Sequence, residues 1–279
     1  MNAIGEFTER GKTIKFTIND NVVVSVKPRG FSPIEHMSAI KKYIGFTGKS
    51  CFVGRLDQMA RGLMMYMLDS KTKFSRQMCK ADKIYEFELC LGFSTDSQDC
   101  MGEINATSLD YTPSNVTAIV DDIKKGRYTS YTQTFPHYSS FRGTSRVTGE
   151  KKPLWLWTVE GRIDEVDIPT KEIDVEDFQV LGTRTVNAKT HIESTISDID
   201  SVTSIPRDRL DHVINGWNNI IGTITSVNTI TLIRCSVKVK SGTYIRFLAD
   251  MIGRDHGIPS YAYDINRTEV FYDEIPSHP

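Results

Sequence analysis

The chain has 279 residues, 39% of them hydrophobic and 25% charged, which is enough apolar side chain to offset the entropy of ordering and is unlike an intrinsically disordered chain. Lys plus Arg number 34 and Asp plus Glu 35, for a formal net charge of −1, so a polyanionic partner could be held only by basic residues gathered on one face. No uninterrupted apolar run reaches the ~18 residues of a membrane span, and the opening MNAIGEFTERGKTIKF lacks the apolar core of a signal peptide; no membrane partner is expected.

Taken in chain order, Ile14, Phe16 and Ile18 alternate with polar residues, and residues 22–26 are rich in valine, which predicts paired strands. Ser32-Pro33-Ile34-Glu35 predicts a helix start: Ser32 caps, Pro33 suits the first helical position, and Glu35 completes a capping box. Gly45 is its stop. The run from Leu63 to Leu68 reads as a buried strand. Tyr85, Phe87, Leu89 and Leu91 alternate with Glu86, Glu88 and Cys90, the pattern of a half-buried strand. Residues 114–126 predict a capped helix with Val116, Ile119, Val120 and Ile123 on one face. Residues 198–219 are polar, contain Pro206, and read as an insertion or long surface excursion. Residues 229–239 predict a strand feeding Gly242, and 244–252 a helix ending near Gly253 or Gly257. Strands outnumber helices and strand–helix–strand units are few, so the expected class is α+β, a mixed, mostly antiparallel sheet flanked by helices.

The five cysteines (Cys51, Cys79, Cys90, Cys100, Cys235) are odd in number, include no CxxC pair and have no His cluster beside them. Neither a disulfide framework nor a zinc site is expected, and a reducing compartment such as the cytoplasm is the simpler setting. Asp96 and Asp99 lack the alternating ligands of a calcium loop and read as turn formers. Charge is uneven. Lys71, Lys73, Arg76, Lys80 and Lys83 cluster, as do Lys124, Lys125 and Arg127, and then Arg142, Arg146, Lys151 and Lys152; residues 160–211 are acidic. Two solvated faces would explain this; so would one RNA-facing side and one facing away.

The segment Val53-Gly54-Arg55-Leu56-Asp57-Gln58 sets an acid beside an arginine just before an apolar run. A loop entering a buried strand holds a carboxylate rigidly, and a neighbouring cation keeps it ionised. Asp57 is thereby a candidate nucleophile or base. A turn-capping or structurally paired Asp fits the same spacing.

Several stretches, in order, resemble the TruB family of pseudouridine synthases, which acts on the T-arm of tRNA. Lys27-Pro28-Arg29-Gly30 resembles its Lys-Pro-x-Gly opening, and Gly54-Arg55-Leu56-Asp57 its Gly-x-Leu-Asp segment. Lys83-Ile84-Tyr85 with Leu91-Gly92 resembles its tyrosine-bearing strand, and Thr95-Asp96-Ser97-Gln98-Asp99-Cys100-Met101-Gly102 its Thr-Asp-x-x-Asp-x-x-Gly turn. Pro136-His137-Tyr138-Ser139-Ser140 resembles the start of its RNA-gripping thumb, and Ser241-Gly242-Thr243-Tyr244-Ile245-Arg246 its Lys-Gly-Thr-Tyr-Ile-Arg segment. Where the family has a histidine and a proline this chain has Phe52, which stacks but cannot hydrogen-bond, and Gln58. Its Gly-Arg-Leu-Asp also resembles ribosomal-RNA pseudouridine synthases.

The resemblance implies the pseudouridine synthase fold in a single domain over 1–279, with a thumb at about 134–160 and no separate C-terminal RNA-binding domain. It implies Asp57 as the essential carboxylate with Arg246 as its partner, because a guanidinium within about 4 Å favours the charged form. Tyr85 would stack on a flipped base, with Ile265 on the base's other face. Lys27 and Pro28 would lie beneath Tyr85, and Arg55 and Phe52 would complete the substrate contacts. For Tyr85 and Ile265 plain core packing is the competing role. Lys71, Lys73, Arg142, Arg146, Lys151 and Lys152 are the expected RNA-backbone contacts, while Trp155 and Trp157 either stack on bases or, slightly favoured, pack the thumb. The reaction involves no oxidation or hydrolysis, so no cofactor and no metal are expected. The expected protein is a monomer with RNA, foremost tRNA, as partner. Ribosomal or messenger RNA as substrate, and a catalytically idle RNA-binding or RNA-folding module, stand as alternatives.

Overall fold

The computed structural model describes residues 3–272; the two ends of the expected 1–279 domain lie outside the described residues. Three strands open the chain as an antiparallel meander: β1 (Ala3–Glu9), β2 (Lys12–Asn19) and β3 (Val22–Lys27). Ile14, Phe16 and Ile18 of β2 all face the core. Helix α1 (Pro33–Ile44) begins on a reciprocal cap. The Glu35 N–H donates to the Ser32 hydroxyl (3.2 Å), the Ser32 N–H donates to the Glu35 carboxylate (2.7 Å), and Gly45 closes the helix in the left-handed region. There follow β4 (Ser50–Val53), β5 (Arg61–Leu68), the short α2 (Ser75–Met78), β6 (Asp82–Leu91), β7 (Phe93–Thr95) and β8 (Ile104–Thr107). Helix α3 (Pro113–Lys124) starts one residue earlier than the sequence suggests. Thr112 caps it from outside and Pro113 takes the first helical position.

The second half comprises β9 (Ser130–Thr134), β10 (Arg142–Thr144), β11 (Lys151–Pro153), α4 (Leu154–Val159), β12 (Thr170–Asn187), α5 (Ala188–Asp200), α6 (Arg207–Ile221), β13 (Thr229–Val239), α7 (Ile245–Asp255) and β14 (Ser260–Phe271). Ten strands join in one sheet in the order β1-β2-β3-β5-β14-β6-β13-β12-β9, with β4 beside β5. Every pairing is antiparallel except β14 with β5, so the fold is α+β with a mostly antiparallel sheet. Buried residues of α1 (Met37, Ile40), α3 (Ile119, Ile123) and α7 (Leu248, Ala249, Ile252) share one core with the strands. At the centre of the sheet Arg267 of β14 stands opposite both Gly62 of β5 and Tyr85 of β6.

The stretch 198–219, expected to be an insertion or long surface excursion, lies within a longer helical connection and is not an irregular surface loop. Strands β12 and β13 pair up to Asn187 and Thr229, so residues 188–228 are the connection of a β-hairpin, a job two to five residues usually do. The connection instead holds α5 and α6. Leu210, Val213 and Trp217 of α6 are buried with Ile192 and Ile199 of α5, against Phe93, Cys90 and Tyr261, and the Trp217 indole N–H donates to the Cys100 carbonyl (3.1 Å). Three apolar positions at helical spacing suffice for the buried stripe of α6, and the abundance of Asp, Arg and Asn on its other faces hid them.

Two buried histidines give the fold a defined acid response. His36 lies against the Tyr66 hydroxyl (2.6 Å) and Ser25 (3.2 Å), and burial, helped by Lys27, pushes its pKa down to about 3. His191 lies against the Tyr261 hydroxyl (2.7 Å), and burial pushes it down to about 4. Unfolded histidine titrates near 6.5, so below that pH the unfolded chain binds protons the folded chain refuses. Their contribution is therefore complete above about pH 6.5 and is lost as the pH falls towards 4 and 3. Thermal melts between pH 7 and pH 4 are expected to show a falling midpoint, with a shallower fall in His191→Asn.

Candidate active site

Asp57 sits in the loop between β4 and β5, anchored by the buried Leu56 before it and by the hydrogen bond from the Ala60 N–H to its carbonyl (3.2 Å). Arg246, the second residue of α7, reaches it from the far side of the chain. The Arg246 Nε donates to the Asp57 carboxylate at 2.8 Å and stands 3.5 Å from the Asp99 carboxylate. Its Nη1 donates to the Ser97 carbonyl and its Nη2 to the Tyr138 carbonyl (3.2 Å). All three guanidinium nitrogens are thus engaged, as a buried cation requires. Exposure separates the acids: the Arg246 side chain is 3% exposed and Asp99 8%, but Asp57 is 34% exposed. One arginine therefore holds two carboxylates, one sealed and one facing outward. Burial raises the Asp99 pKa, the Arg246 charge opposes that rise, and the nearby Asp57 charge adds to it.

The loop is pinned from within. The buried Lys27 ammonium donates to the carbonyls of Pro28 (3.0 Å), Phe31 (2.6 Å) and Gln58 (3.3 Å), the last being Asp57's neighbour. Burial pushes the Lys27 pKa down to about 7 despite the attraction of Asp57. Arg267 donates to the carbonyls of Leu63 (2.8 Å) and Gly54 (3.1 Å), tying both ends of the loop to β14. Gly62 makes this approach possible. A Cβ there would lie 2.3 Å from the Arg267 carbonyl oxygen, and its φ of +121° suits only glycine. Tyr85 and Ile265 are each 8% exposed and lie in one cluster with Leu56. Pro28 is half-buried, and Phe52, on β4 opposite Tyr66, packs against the same core. The exposed Arg55 reaches the Ser140 hydroxyl (3.3 Å) in the 134–160 segment.

The basic residues divide. Lys71 and Lys152 are corrected as backbone contacts. Lys71 is buried and paired with Asp20 (2.7 Å). Lys152 is buried over the Trp157 ring (3.8 Å) and paired with Glu150 (3.4 Å) and Glu160. A buried ammonium already paired with a carboxylate is poorly placed to meet a phosphate. Lys73, Arg142, Arg146 and Lys151 are exposed, although Arg146 pairs with Asp167 (3.2 Å) and Arg142 donates to the Lys151 carbonyl (2.6 Å). Trp157 is fully buried with Leu154 and Val166 and packs this segment, whereas Trp155 is 40% exposed.

Three participants were not singled out by the sequence. Asp99, read as a turn former, is the second partner of Arg246, and its spacing from Asp96 gave no hint of that. Tyr138 lends its carbonyl to the guanidinium. Tyr244, two residues before Arg246, lies near enough to Asp57 for that charge, after burial, to raise its pKa. Its place in the Gly-Thr-Tyr-Ile-Arg string was the available signal.

The mostly antiparallel sheet and the outward carboxylate clamped by a buried arginine are what the resemblance to the pseudouridine synthase class implied. Within that class the chain belongs to the TruB family: the model described as TruB family pseudouridylate synthase (N terminal domain) matches residues 41–197. Among curated relatives, the tRNA pseudouridine synthase B of Malacoplasma penetrans is 26% identical over 188 residues, 67% of this chain and 75% of that protein. The protein of the same name from Bordetella pertussis is 26% identical over 251 residues, 90% of this chain and 81% of that one. Among solved structures, a chain from a crystal structure of a Cbf5-Nop10-Gar1 complex is similar over 89% of this chain and 49% of its own length, with a TM-score of 0.44 and 16% identity.

Proposed function

We propose that this protein isomerises uridine to pseudouridine in RNA, and that its substrate is the T-loop uridine of tRNA. The curated relatives carry the name tRNA pseudouridine synthase B, and the family match covers the Asp57 loop. The observation that carries the reading is the 2.8 Å contact between Asp57 and a sealed arginine, with the carboxylate left open on its outer side.

In the reaction the bond from ribose C1′ to uracil N1 breaks, the uracil turns, and a bond from C1′ to C5 forms. The C5 proton is then lost and N1 gains one, so no net oxidation occurs. Asp57 either attacks C1′ or removes the C2′ proton; both routes use an ionised carboxylate held at a fixed angle, which Arg246 supplies. A uridine stacked in a loop must first be turned out, at a cost of a few kcal/mol. Tyr85 and Ile265 would receive the base, and the exposed Lys73, Arg142, Arg146 and Lys151 would hold phosphates.

Pseudouridine mapping in cells lacking the protein, complemented with wild type or Asp57→Asn, tests this. The expected result is loss of one T-loop pseudouridine, restored by wild type alone. Loss confined to a ribosomal or messenger RNA would move the same chemistry to that substrate. An unchanged map would refute the enzyme reading and favour an RNA-folding module, as would equal rescue by Asp57→Asn.

A further inference from the structure

The helical pair inserted between β12 and β13 does not stop at covering the sheet. At its base, Asp198 of α5 pairs with Arg29 (3.2 Å), which follows the Lys27 that pins the Asp57 loop. At α6, Arg209 reaches across to the 134–160 segment. Its Nη2 donates to the Tyr138 hydroxyl (2.6 Å), its guanidinium lies 5.3 Å from that ring's centroid, and its Nη1 pairs with Glu103 (3.3 Å). The Tyr138 hydroxyl in turn donates to Asp96 (2.8 Å). The Tyr138 backbone carbonyl accepts from Arg246, the arginine that clamps Asp57. A single residue is thus gripped at both ends, by the inserted helix at its hydroxyl and by the active-site cation at its carbonyl.

We propose that Arg209 is a positioning residue for the reaction: by fixing the Tyr138 ring between α6 and Asp96 it holds the Tyr138 carbonyl on Arg246, and so sets the angle of the Asp57 carboxylate. The inserted helices then act as a brace for the active site. This rests on the isomerase reading above. A guanidinium suits the task because it donates in a fixed plane and stacks on an aromatic ring, which an ammonium does less well. The brace touches none of the exposed cations proposed for phosphate contact. It therefore governs the chemical step and leaves RNA affinity to those cations.

The test compares Arg209→Met, Arg209→Lys, Tyr138→Phe and the Arg209→Met/Tyr138→Phe double variant with wild type. Arg207→Met is the control on the same helix, since among the described residues Arg207 pairs with Asp200 (2.6 Å) and Asp211 (2.7 Å), not with the 134–160 segment. Misplacing a reacting group by a fraction of an ångström is expected to slow single-turnover isomerisation about tenfold in Arg209→Met and in Tyr138→Phe. RNA affinity should stay within about twofold, Arg209→Lys should be intermediate, and the double variant no slower than either single one, because both substitutions cut the same link. Hydrogen exchange of the amides at 137–141, read without RNA, should quicken in Arg209→Met and not in Arg207→Met. Wild-type turnover with unchanged exchange in Arg209→Met would overturn the proposal, as would equal slowing in Arg207→Met or additive losses in the double variant. Should wild type isomerise no RNA at all, the functional reading fails by itself, and the exchange comparison still decides whether Arg209 braces Tyr138.

Discussion

Asp57→Asn is expected to leave a folded protein that isomerises uridine roughly 10³-fold or more slowly than wild type. The amide keeps the shape of the carboxylate and one oxygen to accept from the Arg246 Nε, so the clamp survives in part. It has no charge with which to attack C1′ or to take a proton from C2′. Conversion measured on T-loop transcripts, beside a melting curve, separates the two effects. The expected pair of results is a near-wild-type melting midpoint with almost no pseudouridine. A rate within tenfold of wild type would remove Asp57 from the chemistry.

Arg246→Met should act in the opposite way, on the fold as much as on the rate. The arginine is buried, and its loss leaves the Asp57 and Asp99 carboxylates facing each other with the Ser97 and Tyr138 carbonyls undonated. Removing one partner from a buried ion pair costs about 3–5 kcal/mol, a large share of the stability of an ordinary domain. Denaturant titration at neutral pH measures it. The loss should shrink as the pH falls, because Asp99 already has a raised pKa and protonating it relieves the repulsion. Arg246→Met combined with Asp99→Asn should recover part of the loss for the same reason. A single variant as stable as wild type at every pH would show that the cation is not needed to hold the two acids together.

Much of the fold was legible because local signals agreed with the tertiary structure. The Ser32–Glu35 cap, the alternation from Tyr85 and the 229–239 strand each fell where short-range physics put them. Strand β1 was not, since it is an edge strand paired with β2 alone and its residues range only from exposed to half-buried. The α6 stripe was missed because a count of polar residues is blind to their period. At the site, the motif strings drew attention to Asp57 and Arg246, and the ion pair between them is in place. The same strings were silent on Asp99, because nothing local tells a turn-forming aspartate from one that a guanidinium 147 positions later will claim. They also overcounted the surface cations: Lys71 and Lys152 look identical to solvated lysines until their carboxylate partners come into view.

The placement of β14 has a consequence for how the protein is made. This strand lies between β5 and β6, which are joined to each other by only thirteen residues yet never pair directly. During translation the ribosome delivers both long before Ser260–Phe271 emerges, so the nascent chain carries two open strand edges through most of its synthesis. Such edges invite pairing with other chains. Contacts this distant in sequence also slow closure once the strand arrives. Biogenesis of this enzyme should therefore lean on chaperone holding until its last central strand can be laid in.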